Sequence, residues 1–510
     1  MLTKVKSVAS FGLSPVEVEI ETNVAEKGFP GFNMVGMASK AAEEAKERVK
    51  TAVINSDREF PEGKIVVNLA PADLPKDGSS FDLAIAVGIL SAAGQIEPPK
   101  FGSYFFGELS LDGSLRHSRG VFLLAIAAKE AGVEQIFVPR LCANEASVVE
   151  GVTTFPVDNL GQLMAHINGQ KLIEPLRVVE TGGIDYQLEP EFDFCEILGQ
   201  NQAKRAVEIA MAGGHNTLMM GSPGSGKTML SRAAVGVLPP LTEKESLEVT
   251  KIYSITGNIP PGGSLVRRRP FRSPHHTTSQ VGLIGGGSNP RQGEVSMAHR
   301  GVLFLDEFPE FSRSCLEALR QPLEDGYVSI SRAAGSVTFP AQFMLMAAAN
   351  PCPCGYLGDE KKECRCTFNQ IKNYQKKMSG PILDRIDLHL NVPSVDVNKL
   401  MLGDKTQLTG EKSLTVRQRV VAARDIQKKR FEGVGGVYAN ADMKNRHLKQ
   451  FAKLTDGANL LLKQAINRFN LSARTYFRLI KVARTIADLG GSEDIKDAHV
   501  AEALQYRVRE

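Results

Sequence analysis

Three observations predict a mixed α/β chain of about three domains: an α+β N-terminal domain, a central α/β domain and a helical C-terminal domain. The chain has 510 residues, more than one core organises at roughly 100–200 residues per domain. Short β-rich runs alternate with helical patterns up to about residue 395, as they do where strands and helices interleave. Residues 396–510 keep helical periodicity throughout.

Taken in order, Ser39 to Asn55 carries Ala, Glu and Lys at helical spacing. KIVVNLAPADLP, Lys64 to Pro75, starts as a strand and ends in a proline turn. Asp82 to Ala93 and Gly120 to Ala131 read as buried helices, and Glu134 to Arg140 as a strand. Residues 1–170 therefore have the makings of a separate core. Residues 171–192 are polar and punctuated by Pro175, Gly182, Gly183 and Pro190, as a linker is. The next domain spans 193–395. The last, 396–510, holds expected helices at Leu414 to Phe431, Gly457 to Phe469 and Ala473 to Leu489, with a short one opening at Ser492 and ending near Arg507. No repeat of 20–50 residues is visible, which excludes a solenoid or propeller.

Hydrophobic residues make up 42% and charged residues 23%, the balance of a folded globular protein rather than a disordered or collagenous one. No apolar run reaches the ~18 residues of a membrane span. The first residues lack the apolar core of a secretory signal. Seven cysteines make no disulfide scaffold, and the expected compartment is the cytoplasm. Net charge is +4 but unevenly spread: −11 over residues 1–200, +2 over 201–360 and +13 over 361–510. The basic C-terminal third fits a polyanion such as nucleic acid, or simply a solvated helical surface.

GSPGSGKT, Gly221 to Thr228, has the G-x-x-x-x-G-K-[ST] spacing of a nucleotide phosphate loop. Thr217 to Met220 can be the strand that feeds it, and Thr228 to Val237 the helix that follows. Gly221, Ser222, Pro223, Gly224, Ser225 and Gly226 would turn backbone N–H groups toward the phosphates, with the helix dipole behind them. Lys227 adds a point charge, and Thr228 a hydroxyl ligand for Mg²⁺. GVLFLDEF, Gly301 to Phe308, is an apolar strand ending in Asp306, suited to Mg²⁺, and Glu307, suited to orient an attacking water. FMLMAAANP, Phe343 to Pro351, ends a third strand in the polar Asn350. Arg385 stands between Asp384 and Asp387, either an arginine finger or a surface ion pair. Arg474 begins a helix from which it could reach the nucleotide. The basic triplet Arg267, Arg268 and Arg269 is expected to be a solvated turn.

In this order, the phosphate loop and the residues after it resemble those of an AAA+ ATPase. The resemblance makes Gly221 to Thr228 the Walker A loop, Asp306 and Glu307 the Walker B pair, Asn350 sensor 1, Arg385 the finger, Arg474 sensor 2 and Ile197 to Gln200 the adenine-side box. FRSPHHTTSQVGLIGGG (Phe271 to Gly287), PRQGEVSMAHRGVLFLDEF (Pro290 to Phe308) and GPILDRIDLHL narrow it to the magnesium-chelatase-like branch, and within it to the YifB/ComM family. That resemblance covers essentially the whole chain. It implies ATP and Mg²⁺ as cofactors, a hexameric ring, and DNA as the partner of a branch-migrating helicase. It also implies an insertion at about 272–295 with Gly285 to Gly287 at its tip, and a pore hairpin at Tyr327 to Phe339. The hairpin residues independently read as strand–turn–strand, with Gly335 near the turn and Arg332 beside it. His275 and His276, adjacent on an extended segment, point to opposite sides and are expected to be structural or pore-loop residues.

Cys352, Cys354, Cys364 and Cys366 form C-x-C-x₉-C-x-C, suited to a structural Zn²⁺. Because the insertion lies between Asn350 and Arg385, loss of the metal is expected to leave the phosphate-loop chemistry in place. Cys142, Cys195 and Cys315 read as core residues. The N-terminal domain resembles a Lon-protease domain. Ser80 falls at the protease serine and Phe122 at its lysine, so the resemblance implies a scaffold without peptidase activity, because a serine lacking a base is a poor nucleophile. The alternatives to the DNA motor are a magnesium-chelatase motor subunit and a nucleotide-gated scaffold.

Overall fold

A computed structural model of the chain describes residues 2–507 apart from 26–28, 38, 73–75, 77–78, 101, 177–191, 288–290, 333–334, 360, 379 and 395–409. Most of the expected linker, and the expected boundary near 395, lie outside the described residues. The chain divides into two compact units, residues 1–185 with 242–268 and 333–339, and residues 186–241 with 269–332 and 340–510.

The first unit is built on a seven-stranded mixed sheet, in the spatial order Gly31–Val35, Lys64–Ala70, Ser14–Ala25, Leu2–Phe11, Ser103–Phe105, Gln135–Pro139 and Thr153–Val157. Leu2–Phe11 and Ser14–Ala25 pair antiparallel through ten registered residues. Alternate side chains Val18, Ile20 and Thr22 are buried, as the two-residue period of a strand dictates. Asp82–Ala92 is buried at every position, which is why it is apolar on all sides. Gly88 lets that helix lie on the sheet, since a Cβ there would come 2.6 Å from the Thr22 hydroxyl. Helix Glu243–Thr256, in the middle of the chain, packs with this unit. Thr242 and Glu245 close a capping box at its start.

The second unit carries a five-stranded sheet in the order Phe271–Arg272, Val302–Leu305, Met344–Ala349, Thr217–Met220 and Leu388–Asn391. Every pair in it is parallel. One continuous core joins Met219, Phe304 and Met346 of the sheet to Val420, Leu462, Ile480 and Ala487 of the C-terminal helices. The helical region and the phosphate-binding sheet are therefore a single packed body.

Buried polar groups tie that body together. His215 bonds Asp387 at 3.2 Å and Thr485 at 2.8 Å. Asp488 takes Arg430, Arg484 at 3.1 Å and the Asn440 amide at 2.8 Å. Each charge is removed from water but paired, the condition under which burial is tolerated.

The expected elements fall close to their places, with local differences. The helix after the phosphate loop starts at Lys227 and tightens into a 3₁₀ turn over Ala234–Val237. The final helix spans Asp497–Gln505 and does not open at Ser492. Residues 492–496 instead form a turn and a bridge from Ile495 to Leu454. Cys142 and Cys315 are buried in the core, whereas Cys195 is only half-buried.

Candidate nucleotide-binding site

The phosphate loop leaves the strand Thr217–Met220 of the parallel sheet and enters the helix Lys227–Ala233. Gly224 and Gly226 both hold left-handed backbone, φ +78° and +90°. A side chain there would be strained whatever the space around it. The Lys227 ammonium donates to the carbonyls of Gly221 at 2.7 Å and Ser222 at 2.9 Å, and to Asn350 Oδ1 at 3.3 Å. Burial lowers its pKa from the ordinary lysine value, with the Asp306 carboxylate opposing.

Thr228 Oγ1 donates to Asp306 Oδ2 at 2.7 Å. The tip of the Val302–Leu305 strand thus faces the start of the phosphate-loop helix, and the two oxygens sit where one divalent ion could take both. Glu307 follows in left-handed backbone, φ 50°. That conformation is uncommon for a glutamate and typical of residues held for a task. Its carboxylate lies 3.0 Å from His276 Nδ1. The local sequence marks His276 only as a structural or pore-loop residue, and the tertiary contact brings it to the site. The adenine-side box also connects here, because the Gln200 side chain donates to the Ser225 carbonyl of the phosphate loop at 3.4 Å.

Arg385 and Arg474 belong to a second cluster. Arg385 bonds the Pro381 carbonyl at 2.6 Å and the carboxylate of Glu324. Arg474 bonds Asp384 at 3.2 Å. The acidic partner of Arg385 is therefore Glu324, neither of the flanking aspartates. Asp387 instead serves His215. Lys227, Thr228, Asp306 and Asn350 thus bond among themselves, and the two arginines bond elsewhere.

The four cysteines Cys352, Cys354, Cys364 and Cys366 gather with all sulfurs within 4.8 Å of one another. Cys352 Sγ lies 3.4 Å from Cys354 Sγ and 3.6 Å from Cys364 Sγ. A Zn–S bond of about 2.3 Å sets a tetrahedral S···S edge near 3.8 Å, and the much shorter S–S bond of a disulfide is excluded. The cluster is not remote from the phosphate loop. Gly355 stands so close that a Cβ on it would come 2.5 Å from Pro223 Cδ.

Arg269 is no solvated turn residue, for it donates to the Pro239 and Arg300 carbonyls at 2.9 and 2.7 Å. Tyr327–Arg332 and Gly335–Pro340 form the expected two-stranded ribbon. Its turn, and the side chain of Arg332, lie outside the described residues. Short strands at Gly285–Gly286 and Arg291–Gln292 pair in the expected insertion. In the N-terminal unit Phe122 is wholly buried, and its N–H donates to Glu145 at 2.8 Å. The position expected to hold a protease lysine is core. Ser80 contributes its carbonyl to Gly107 N–H, and its neighbour Ser79 donates to Glu108.

Three family models match the chain. "Subunit ChlI of Mg-chelatase" covers residues 18–141, "Magnesium chelatase, subunit ChlI" 193–400 and its C-terminal counterpart 410–507. The chain is 42% identical to competence protein ComM of Haemophilus influenzae over 99% of its own length and 97% of that protein. It is 41% identical to YifB of Escherichia coli, again over 99% and 97%. A fainter likeness, 23% over 229 residues, links 42% of the chain to 25% of the maternal DNA replication licensing factor mcm6 of Xenopus tropicalis. With its phosphate loop, strand-tip carboxylates and parallel sheet in place, the chain belongs to the magnesium-chelatase family of AAA+ ATPases, together with ComM and YifB.

Proposed function

We propose that this chain is one subunit of a cytoplasmic homo-hexamer that hydrolyses ATP to drive branch migration of DNA during recombination or uptake of foreign DNA. One observation carries the reading. The phosphate-facing residues assemble within the chain, while Arg385 and Arg474 bond Glu324 and Asp384 rather than that group. A finger that serves a neighbour's nucleotide needs that separation, and a closed ring repeats it at every interface. Support for DNA comes from the basic C-terminal third and from relatives named as a competence protein and a replication licensing factor.

In this reading the backbone N–H groups of Gly221 to Gly226 cradle the phosphates of ATP and Lys227 neutralises them. Thr228 and Asp306 hold Mg²⁺, which supplies positive charge against the charge developing on the phosphoryl oxygens. Glu307 takes the proton of the attacking water, and Asn350 positions that water and the γ-phosphate. Arg385 stabilises the transferring group across the interface, and Arg474 senses the nucleotide from the helical region. The four cysteines hold a structural Zn²⁺. In functional terms residues 1–170 form an inactive Lon-like domain, 193–395 the motor core and 396–510 its helical lid.

The discriminating experiment is ATPase activity with and without single-stranded and branched DNA, followed by migration of a synthetic four-way junction. Stimulation by DNA and junction movement are expected. The ChlI family matches favour a second reading, a motor that inserts Mg²⁺ into a porphyrin. An ATPase indifferent to every DNA, yet active with a chelatase partner, would select that one.

A further inference from the structure

The cysteine cluster grips the phosphate loop at several points. Gly355, in left-handed backbone at φ +86°, lies flat against Pro223, the third residue of the loop. The Asp359 carboxylate, in the same insertion, bonds the side chain of Ser222, the loop's second residue. Cys352 itself is fully buried two residues after Asn350, whose side chain takes the Lys227 ammonium at 3.3 Å. Gly355 N–H closes onto the Cys352 carbonyl at 3.0 Å, and the loop's first residue, Gly221, donates to the Ala349 carbonyl at 3.2 Å. The other end of the insertion runs from Cys366 straight into the capping box of Thr367 and Gln370, which starts the helix Phe368–Lys377. The hydroxyl of Tyr374 on that helix returns to the backbone of Asn350.

Among the described residues between Cys354 and Cys364 there are turns and bends and no helix or strand. Local bonds hold the turn around Asp359, whose carboxylate accepts from the Lys361 and Lys362 N–H groups at 2.9 and 3.1 Å, and a tetrathiolate metal would fix both ends of that loop beside Ser222 and Pro223. We propose that metal occupancy of Cys352, Cys354, Cys364 and Cys366 sets nucleotide affinity, by clamping Ser222, Pro223 and Asn350 in the geometry that receives the phosphates. This rests on the zinc reading above and departs from the expectation that metal loss spares the phosphate loop. Gly355 and Asp359 are positioning residues, acting through Pro223 and Ser222. Zn²⁺ loss frees the insertion, the phosphate loop gains alternative conformations, and binding then has to select one of them.

The test measures zinc content and the affinity of a fluorescent ATP analogue on the same full-length samples. The metal-free protein, made with a chelator under reducing conditions, should bind the analogue at least about tenfold more weakly. Stoichiometric Zn²⁺ should restore it. Gly355→Val, which drives a side chain into Pro223, and Asp359→Ala, which removes the acceptor of the Ser222 hydroxyl, should weaken binding with zinc still present. Loss on metal removal and rescue by Zn²⁺, with far-UV circular dichroism unchanged, is the result a metal without a hold on the phosphate loop would not produce. If the metal-free protein loses its far-UV circular dichroism, these two zinc-loaded variants alone decide. Zinc bound, with nucleotide affinity unmoved by its removal or by Gly355→Val, would overturn the clamp and leave the zinc reading standing. Reduced protein that never holds zinc would overturn both.

Discussion

Lys227 is almost fully buried, and its ammonium is occupied by the carbonyls of Gly221 and Ser222. Nucleotide binding therefore exchanges loop carbonyls for phosphate oxygens, and Lys227→Ala should abolish measurable binding in an equilibrium titration. Glu307→Gln should keep binding while hydrolysis falls by about 10²–10⁴-fold, the usual weight of a general base. Hydrolysis unchanged in that variant would remove Glu307 from the mechanism. Glu145 is a different case. Burial pushes its carboxyl up from 4.5 to about 7, against the bonds from Ser254 and the Phe122 N–H. The folded state holds the proton more tightly than the unfolded chain. Glu145 therefore favours folding below about pH 4.5, and that contribution is lost as pH rises through 7. Glu145→Gln, which can still accept both bonds, should flatten the fall in melting temperature between pH 5 and 7. A variant with the wild-type slope would exclude Glu145 as its source.

At the scale of elements, the helix Ala473–Leu489 has two jobs on two faces. Leu479, Ile480, Val482 and Ile486 enter the core shared with the sheet. Thr485 and Asp488 enter the polar network with His215, Arg430, Arg484 and Asn440. Asp488 is buried and answers two arginines. Asp488→Ala should cost about 3–5 kcal/mol in chemical denaturation, because Arg430 and Arg484 lose their counter-charge within the protein. A loss below about 1 kcal/mol would mean that water replaces the carboxylate. The phosphate loop also depends on elements rather than on its motif alone. Gly221 cannot carry a side chain, since a Cβ would come 2.2 Å from the Val392 carbonyl just past the neighbouring strand.

The whole-molecule prediction concerns the proposed ring. Arg385→Ala subunits retain Lys227 and Thr228 and should bind ATP normally. Hydrolysis should fall by on the order of 10³-fold, as for a lost arginine finger. Mixing Arg385→Ala with Lys227→Ala subunits should restore part of the activity, since a correctly ordered pair joins an intact Lys227 to an intact Arg385. If the bond to Glu324 were the whole role of Arg385, its loss would have a small effect. Wild-type and mixed activities would then follow the count of intact phosphate loops. A flat ATPase rate across mixing ratios, in rings verified to be mixed, would end the trans-acting assignment.

The amino-acid sequence by itself determined the class of chain, the phosphate loop, the strand-tip carboxylates and the approximate bounds of the elements it marked. These depend on neighbours in the chain: glycines that admit left-handed backbone, apolar runs of strand length, and periodicity that selects one face. Thr217–Met220 and Ala473–Leu489 were legible to the residue for that reason. Tertiary structure alone decided what distant segments meet. It paired Glu307 with His276, Arg385 with Glu324 and Asp387 with His215. It assigned helix Glu243–Thr256 to the N-terminal unit and set Gly355 of the cysteine insertion on Pro223. Such contacts depend on packing between segments that one sequence does not mark as partners. Shape and buried charge settle them only once the chain has folded.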